Sequence, residues 1–185
     1  MKRLIYLLGI TMMILMFFGC TIISTIYTAA VDERNVKTVY KDTEIKTVIV
    51  KRFYDDKSIK TLDISVGCYN GHVFLIGEYE KSIQRTHAIK IANGIEGVKS
   101  VTQYILPKKK DPACGTIKNL EMTANVKAKL IKDKNIWSTN VDVKTIQCIV
   151  VLYGLVGSKT EINKVISHAK SVEGVRSVKS FLKSK

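Results

Sequence analysis

The fold is decided by a stretch of sequence that occurs twice. Residues 73–101 are VFLIGEYEKSIQRTHAIKIANGIEGVKSV, and residues 150–178 are VVLYGLVGSKTEINKVISHAKSVEGVRSV. The strand glycine Gly77 returns as Gly154, and the run EGVKSV returns as EGVRSV, both at an offset of 77 residues. Self-similarity at a fixed offset indicates a duplicated structural unit.

The repeat continues upstream of these stretches without a gap. Apolar residues match at the same offset: Ile45 with Met122, Ile49 with Val126, Phe53 with Leu130 and Ile59 with Ile136. The sequence therefore predicts two modules, residues 42–106 and residues 119–185. Residues 107–118 contain two prolines and a run of lysines and are predicted to link the modules.

Within each module the pattern predicts the order α-β-β-α-β. An apolar residue at every fourth position indicates an opening helix, and alternation over Leu62, Ile64, Val66 and Cys68 indicates the first strand of a hairpin. Asn70-Gly71 suits its tight turn. The other predicted elements are strands Val73–Tyr79, Val98–Leu106, Ser138–Thr145, Ile149–Val156 and Val175–Leu182, and helix Ser158–Val172. The fold class is α+β, with two helices on one face of a three-stranded sheet in each module.

Four glycines are predicted to have structural roles. Gly97 and Gly174 are expected to be left-handed caps that end the second helix of each module. Gly77 and Gly154 are expected to mark a bulge or the close approach of a helix. None of the four belongs to a phosphate-binding loop.

The N-terminus has the form of a secretory signal. Lys2 and Arg3 precede an apolar run over residues 4–18, which is shorter than the roughly 20 residues that a membrane-spanning helix needs. Residues 17–20, FFGC, resemble a bacterial lipobox, in which the cysteine thiol is lipidated and the cysteine becomes the new N-terminus after cleavage. We expect a signal peptide over residues 1–19, a lipid on Cys20 and a linker over residues 20–41. An uncleaved membrane anchor is the alternative.

Composition restricts the partners of the exported chain. The formal charge of +14 favours acidic partners, and export argues against nucleic acid. After lipidation three cysteines remain, Cys68, Cys114 and Cys148, so at least one thiol stays free; whether any two pair is left open. We expect Cys68 to act as a small apolar residue on the strand face of Ile64 and Val66.

Catalysis is not indicated by any motif. His72, His87 and His168 are scattered, with no acidic or cysteine partners at metal-binding spacing. No serine occupies a nucleophile-elbow sequence, and Asp55 with Asp56 is interpreted as a solvated pair at a helix end. We therefore expect no enzyme activity, no metal and no cofactor.

The glycine motifs resemble those of the BON domain. The match rests on the run Gly97, Val98, Ser100, Val101, on its copy in the second module and on the strand glycines. Two such domains behind a lipobox resemble the dual-BON outer-membrane lipoproteins. The resemblance implies a periplasm-facing protein on the inner leaflet of the outer membrane, one that binds anionic phospholipid and supports envelope integrity.

The two opening helices differ on the side opposite the predicted core. Leu120, Ala124 and Ile131 replace Thr43, Thr47 and Tyr54, and Trp137 replaces Lys60. Apolar residues with a basic rim are typical of an interfacial membrane contact. The candidate phospholipid-binding residues are Leu120, Val126, Lys127, Ile131, Lys134 and Trp137, with Lys129 and Lys132 nearby.

Two other interpretations of this patch stay open. The patch could pack against the first module, or it could bind an envelope protein and make the chain an adaptor. The first module, whose corresponding face carries threonines, is expected to lack an apolar stripe. In the family that the chain resembles, an aromatic residue lies near the start of the opening helix of the second module, where this chain has Glu121. The sequence does not fix the lipid, the protein partner or the oligomeric state.

Overall fold

The computed structural model describes residues 34–59 and 63–184. The predicted signal peptide, Cys20 and Leu62 lie outside these residues. Residues from Arg34 onward belong to one compact unit. The elements are α1 (Val36–Asp55), β1 (Ile64–Tyr69), β2 (His72–Tyr79), α2 (Ser82–Asn93), β3 (Ser100–Pro107), α3 (Thr116–Lys132), β4 (Val141–Ile146), β5 (Ile149–Val156), α4 (Lys159–Lys170) and β6 (Ser177–Ser184).

The predicted order α-β-β-α-β is confirmed in both modules. In each sheet the first two strands form an antiparallel hairpin, and the third strand pairs in parallel with the second, so that β2 and β5 are the central strands. Short 3₁₀ helices, Pro112–Cys114 and Ser138–Asn140, precede α3 and β4. Across the described residues, no helix combines the length and the hydropathy that crossing a bilayer requires.

Each pair of helices covers one face of its own sheet, as predicted. In the first module, Ile49 and Phe53 of α1 pack with Val73 and Leu75 of β2. In the second module, Val126 and Leu130 of α3 pack in the same way with Val150 and Leu152 of β5. These residues are almost fully buried, so the every-fourth-residue stripe of the opening helices is the core stripe.

The second faces of the two sheets pack against each other, which the sequence did not predict. Alternate residues of the central strands point into this interface: Phe74 and Ile76 of β2, and Val151 and Tyr153 of β5. The rings of Phe74 and Tyr153 stack with centroids 5.4 Å apart. A side chain at Gly67 would collide with Tyr153. The result is a layered order of helices, sheet, sheet and helices.

Polar contacts hold the rim of this sheet-to-sheet interface. Tyr69 donates a hydrogen bond to Asp142 across the modules, at 2.9 Å, and burial raises the pKa of its phenol well above the ordinary value. The side chain of Gln147 donates to Glu78 at 2.9 Å and to the carbonyl of Pro107 at 2.8 Å. The bonds from Tyr69 to Asp142 and from Gln147 to Glu78 therefore join polar side chains of the two modules beside the apolar contact.

Both opening helices begin earlier than the sequence suggested. The helix α1 starts at Val36, because Asn35 caps it by accepting a hydrogen bond from the amide of Lys37 at 2.8 Å. The helix α3 starts at Thr116, inside the predicted linker. The earlier start of α3 adds Ile117 to its exposed side.

Gly97 and Gly174 do not cap helices, so that prediction was wrong. The helices α2 and α4 end earlier, at caps Gly94 and Ser171 with negative φ. Gly97 and Gly174 do adopt left-handed backbone, with φ of +85° and +82°, but in the turn that leads into the last strand. There they lie against Ile45 and Met122 of the opening helices, where a side chain would crowd the core.

Gly77 and Gly154 mark a close approach of backbone, as expected. The approaching segment is the residue just before the first strand of the module, and not a helix. A Cβ at Gly77 would collide with the backbone of Asp63, and one at Gly154 would collide with the backbone of Asn140. Gly154 also has φ of +143°, a backbone conformation that residues with a side chain rarely adopt. The chain that enters the first strand therefore crosses directly over these glycines.

A disulfide joins Cys114 to Cys148 and leaves Cys68 as a free thiol. It ties the 3₁₀ turn before α3 to the β4–β5 hairpin turn. In that turn Gln147 and Cys148 both have positive φ, where the first module has Asn70 and Gly71. Asn and Gly suit this turn type, whereas Gln and Cys do not, so the disulfide holds a turn of unfavourable sequence.

Cys68 is a buried apolar residue in the first core, as expected. Its thiol donates to the buried carboxylate of Asp42 at 3.3 Å. Burial, aided by the nearby negative charge of Asp42, raises the pKa of the Cys68 thiol to about 12. A thiol with so high a pKa is a poor nucleophile and a poor metal ligand.

Candidate membrane-binding face

The outward side of α3 carries an exposed apolar stripe. Ile117, Leu120 and Ile131 have 82%, 60% and 70% of their surface exposed, and Ala124 lies between them. The same helix buries Met122, Val126 and Leu130 on its other side. We call Ile117, Leu120, Ala124, Ile131 and the nearby Trp137 the α3 face. Four of these five residues have large side chains that a folded monomer would normally bury or pair.

One residue predicted for this face does not lie on it, and one residue that does lie on it was not predicted. Val126 is 0% exposed and packs in the core of the second module, so its assignment to phospholipid binding was wrong. Ile117 was missed because α3 was expected to start at Asn119. Its spacing from Leu120 and Ala124 fits the exposed stripe, and an earlier helix start would have revealed it.

Trp137 lies just beyond the C-terminal end of α3 and is 45% exposed. Its backbone amide donates to the carboxylate of Glu161 at 2.8 Å, and the neighbouring Ile136 is buried in the core. The ring is therefore held at the surface by a fixed backbone. A half-exposed indole with one polar edge is suited to the boundary between water and lipid.

Three lysines with unpaired ammonium groups lie toward the C-terminal end of the α3 face. Lys127, Lys132 and Lys134 are exposed and form no ion pair with any residue in 34–59 or 63–184. Lys129 instead donates to Ser171 at 2.8 Å, and Lys118 pairs with Glu121 at 2.9 Å. The uncompensated positive charge is thus concentrated near Ile131.

Some of these lysines line a shallow depression at the C-terminal end of α3. Lys129, Lys132, Lys134 and His168 line it together with Asp133 and Asn135. Asp133 accepts a hydrogen bond from His168 at 2.9 Å, and this bond, with two more from Asn135, lowers the pKa of Asp133 to about 2. Asp133 therefore stays ionised at neutral pH and offsets one of the positive charges.

The α3 face is not the contact between modules. That contact is made by the inner faces of the two sheets, through residues such as Phe74 and Tyr153. Leu120 and Ile131 lie on a helix of the outer layer and keep most of their surface exposed. The interpretation of this patch as a module interface is therefore excluded.

The corresponding side of α1 was expected to lack an apolar stripe, and that expectation was wrong. Tyr40 and Tyr54 have 71% and 80% of their surface exposed, and Val36 and Val50 are also exposed. The threonines between them do not interrupt the stripe, because their hydroxyls turn back to the helix. Thr43 donates to the carbonyl of Val39, and Thr47 to that of Thr43, each at 2.8 Å.

His87 lies in a structural contact that the sequence pattern did not predict. Asp56, at the end of α1, accepts from His87 at 3.0 Å, and Ser58 contacts the same ring nitrogen at 2.9 Å. A hydrolytic triad needs the acid and the nucleophile on different ring nitrogens, so this cluster is not one. The bonds from Ser58 lower the pKa of Asp56. Within the described ranges, no three or more His, Cys, Asp or Glu side chains come together in a way that could hold a metal ion.

Comparisons with known proteins agree with this architecture. The BON domain family matches residues 41–106 and 120–185. Osmotically-inducible protein Y of Escherichia coli is 36% identical over 146 residues, which cover 78% of this chain and 73% of that protein. The outer membrane lipoprotein DolP of Haemophilus influenzae is 28% identical over 150 residues, covering 80% of this chain and 77% of the relative. The chain therefore belongs to the BON-domain family and carries two BON domains in tandem.

Proposed function

We propose that this protein is a lipid-anchored envelope protein that binds anionic phospholipid through the α3 face of its second BON domain. The observation that carries the proposal is the exposed stripe of Ile117, Leu120 and Ile131 beside Trp137 and unpaired lysines. Apolar side chains that enter the headgroup region, together with lysines that meet anionic headgroups, are what an interfacial membrane protein needs.

Location in the envelope is supported by three features. One relative is named an outer membrane lipoprotein, and the chain carries a lipobox-like sequence that ends in Cys20. The disulfide between Cys114 and Cys148 also favours an oxidising compartment, because structural disulfides are rare in the reducing cytosol. We assign the acyl group to Cys20 and place the BON domains on the periplasmic side of the outer membrane.

A lipid on Cys20 tethers the chain to a membrane but does not fix which side of the folded domains meets the leaflet. A basic and apolar surface adds a second, orienting contact to such an anchor. The α3 face supplies both kinds of surface on one side of the molecule. The lipid on Cys20 and the α3 face would then hold the second domain against the leaflet, where it supports envelope integrity.

Vesicle binding tests the charge requirement. The unacylated chain, residues 20–185, should sediment with vesicles that contain anionic lipid and not with purely zwitterionic vesicles. Lys127→Glu with Lys134→Glu should weaken binding at low salt, since each lysine near an anionic surface contributes about 1 kcal/mol. At high salt the difference in vesicle binding between this variant and the parent should narrow, because salt at about 0.1 M screens charges beyond roughly 10 Å.

A matched control has the same change of net charge on the opposite side of the molecule. Lys46→Glu with Lys51→Glu changes two exposed lysines of α1. This control should bind anionic vesicles more tightly than the α3 variant does. Equal loss in both variants would mean that net charge alone attracts the protein, and the α3 face would lose its assigned role.

A further inference from the structure

The exposed side of α1 forms a continuous apolar stripe. Val36, Tyr40, Thr43, Thr47, Val50 and Tyr54 follow one another at alternating spacings of four and three residues, and all six are exposed. Because the hydroxyls of Thr43 and Thr47 bond to carbonyls of their own helix, their methyl groups are left to line the stripe. We call these six residues the α1 face.

Spacing and length of the α1 face fit a partner helix. Apolar residues that alternate by four and three form the seam along which two helices pack. The seam runs almost the full length of a 20-residue helix, which at 1.5 Å per residue is about 30 Å. In the structure no residue of the described ranges covers it, since the core of the first module lies on the other side of α1.

The charges beside the seam select the partner. Lys37, Lys46 and Lys51 flank the stripe, are exposed and form no ion pair with another described residue; Glu44 is the acidic residue between them. In an antiparallel pair of two copies, Lys37 of one would face Lys51 of the other, and like charges at such positions destabilise helix pairs. A second copy of this chain is thus disfavoured, and a helix with acidic flanks is favoured.

The position of α1 favours a protein over a bilayer as the partner. The two helical layers lie on opposite outer sides of the packed sheets, so a flat membrane that contacts α3 leaves α1 directed away from it. The α1 face also differs in chemistry, because its large residues are tyrosines where α3 has isoleucines and a leucine. Tyrosine is enriched in protein interfaces and in their energetically dominant positions.

We propose that the α1 face docks an acidic amphipathic helix of a second envelope protein. The first BON domain then holds a partner on the side of the molecule opposite the lipid-binding side. The choice of a protein over a bilayer as the occupant rests in part on the proposed membrane contact of α3, whereas the seam of the α1 face does not, so the peptide and vesicle experiments can fail separately.

Designed peptides test the proposal without knowledge of the natural partner. The first peptide is a helix of about 20 residues with a leucine seam and glutamates at the flanking positions; the second carries lysines in place of the glutamates. The chain from Cys20 onward, unacylated, should bind the acidic peptide at least about tenfold more tightly than the basic one, measured by fluorescence anisotropy of labelled peptide.

Variants on the two helices locate the binding. Tyr40→Glu with Val50→Glu should weaken binding of the acidic peptide by about tenfold or more, whereas Ile131→Glu should leave it unchanged. Both variants change exposed residues, so a circular dichroism melt should match that of the parent. Equal binding of the two peptides, or unchanged binding by the α1 variant, would overturn the proposal.

Sedimentation with vesicles distinguishes an α1 face that binds membranes from one that binds a protein. Binding to anionic vesicles should be the same for the parent and for Tyr40→Glu with Val50→Glu. If the α1 variant loses vesicle binding while Ile131→Glu keeps it, the α1 face is a membrane contact and the docking proposal is wrong.

Discussion

Replacing Phe74 by alanine is expected to lower the free energy of unfolding by about 3–5 kcal/mol. Phe74 is only 2% exposed and lies at the centre of the sheet-to-sheet interface, edge-on to Tyr69 and stacked on Tyr153. Truncation would leave a cavity between two sheets that cannot close without moving both modules. Urea unfolding followed by far-ultraviolet circular dichroism measures the change.

The matched control for Phe74 is Tyr40→Ala on the exposed side of α1. Tyr40 is also aromatic, but 71% of its surface is exposed, so its replacement should change stability by no more than about 0.5 kcal/mol. Hydrogen exchange adds a local readout, because Phe74→Ala should raise exchange in β5 as well as in β2. Similar unfolding midpoints for Phe74→Ala and the parent would contradict the packing of one sheet on the other.

Removing the disulfide is expected to cost about 2–4 kcal/mol. Cys114 and Cys148 are 34 residues apart, so opening the link frees a long loop in the unfolded chain. The folded state loses support as well, since Gln147 and Cys148 hold positive φ in a turn that lacks Asn and Gly. Cys114→Ala with Cys148→Ala should therefore lower the urea midpoint, and a reducing agent should lower the midpoint of the parent.

A second variant separates the loop effect from the turn effect. Cys114→Ala with Gln147→Asn and Cys148→Gly gives the second hairpin the turn sequence of the first, still without a disulfide. This variant should recover part of the lost stability, because Asn-Gly suits the turn. If the parent unfolds at the same urea concentration with and without reductant, the disulfide does not stabilise the fold.

The repeat predicted each module well because it carried both the helical spacing and the alternation of a strand. The stripe of Ile49 and Phe53 and the alternation in β1 fix which sides of helix and strand meet, and the second copy confirms the spacing. The sheet-to-sheet packing was missed, although the continuous apolar run from Val73 to Ile76 contained the signal. A strand buried on both faces has such a run, whereas a half-exposed strand alternates.

Other features depend on distances that a sequence does not contain. A disulfide needs Cα atoms roughly 4.4–6.8 Å apart. The separation of 5.3 Å between Cys114 and Cys148 follows only from the fold. Val126 was assigned both to the core stripe and to the lipid-binding face, and a single helical position cannot serve both. The apolar α1 face was missed because threonine counts as polar until its hydroxyl is seen to bond within the helix.

Trp137 gives the most direct test of phospholipid binding by the α3 face, since it is the single tryptophan of the chain. On addition of anionic vesicles, its emission should shift to shorter wavelength, and lipids brominated near the headgroup should quench it. Ile131→Glu should abolish both effects, because burying an isoleucine contributes roughly 1.5–3 kcal/mol and a buried charge opposes insertion. Unchanged emission and no quenching, while the protein sediments with the same vesicles, would contradict insertion of this face into the membrane.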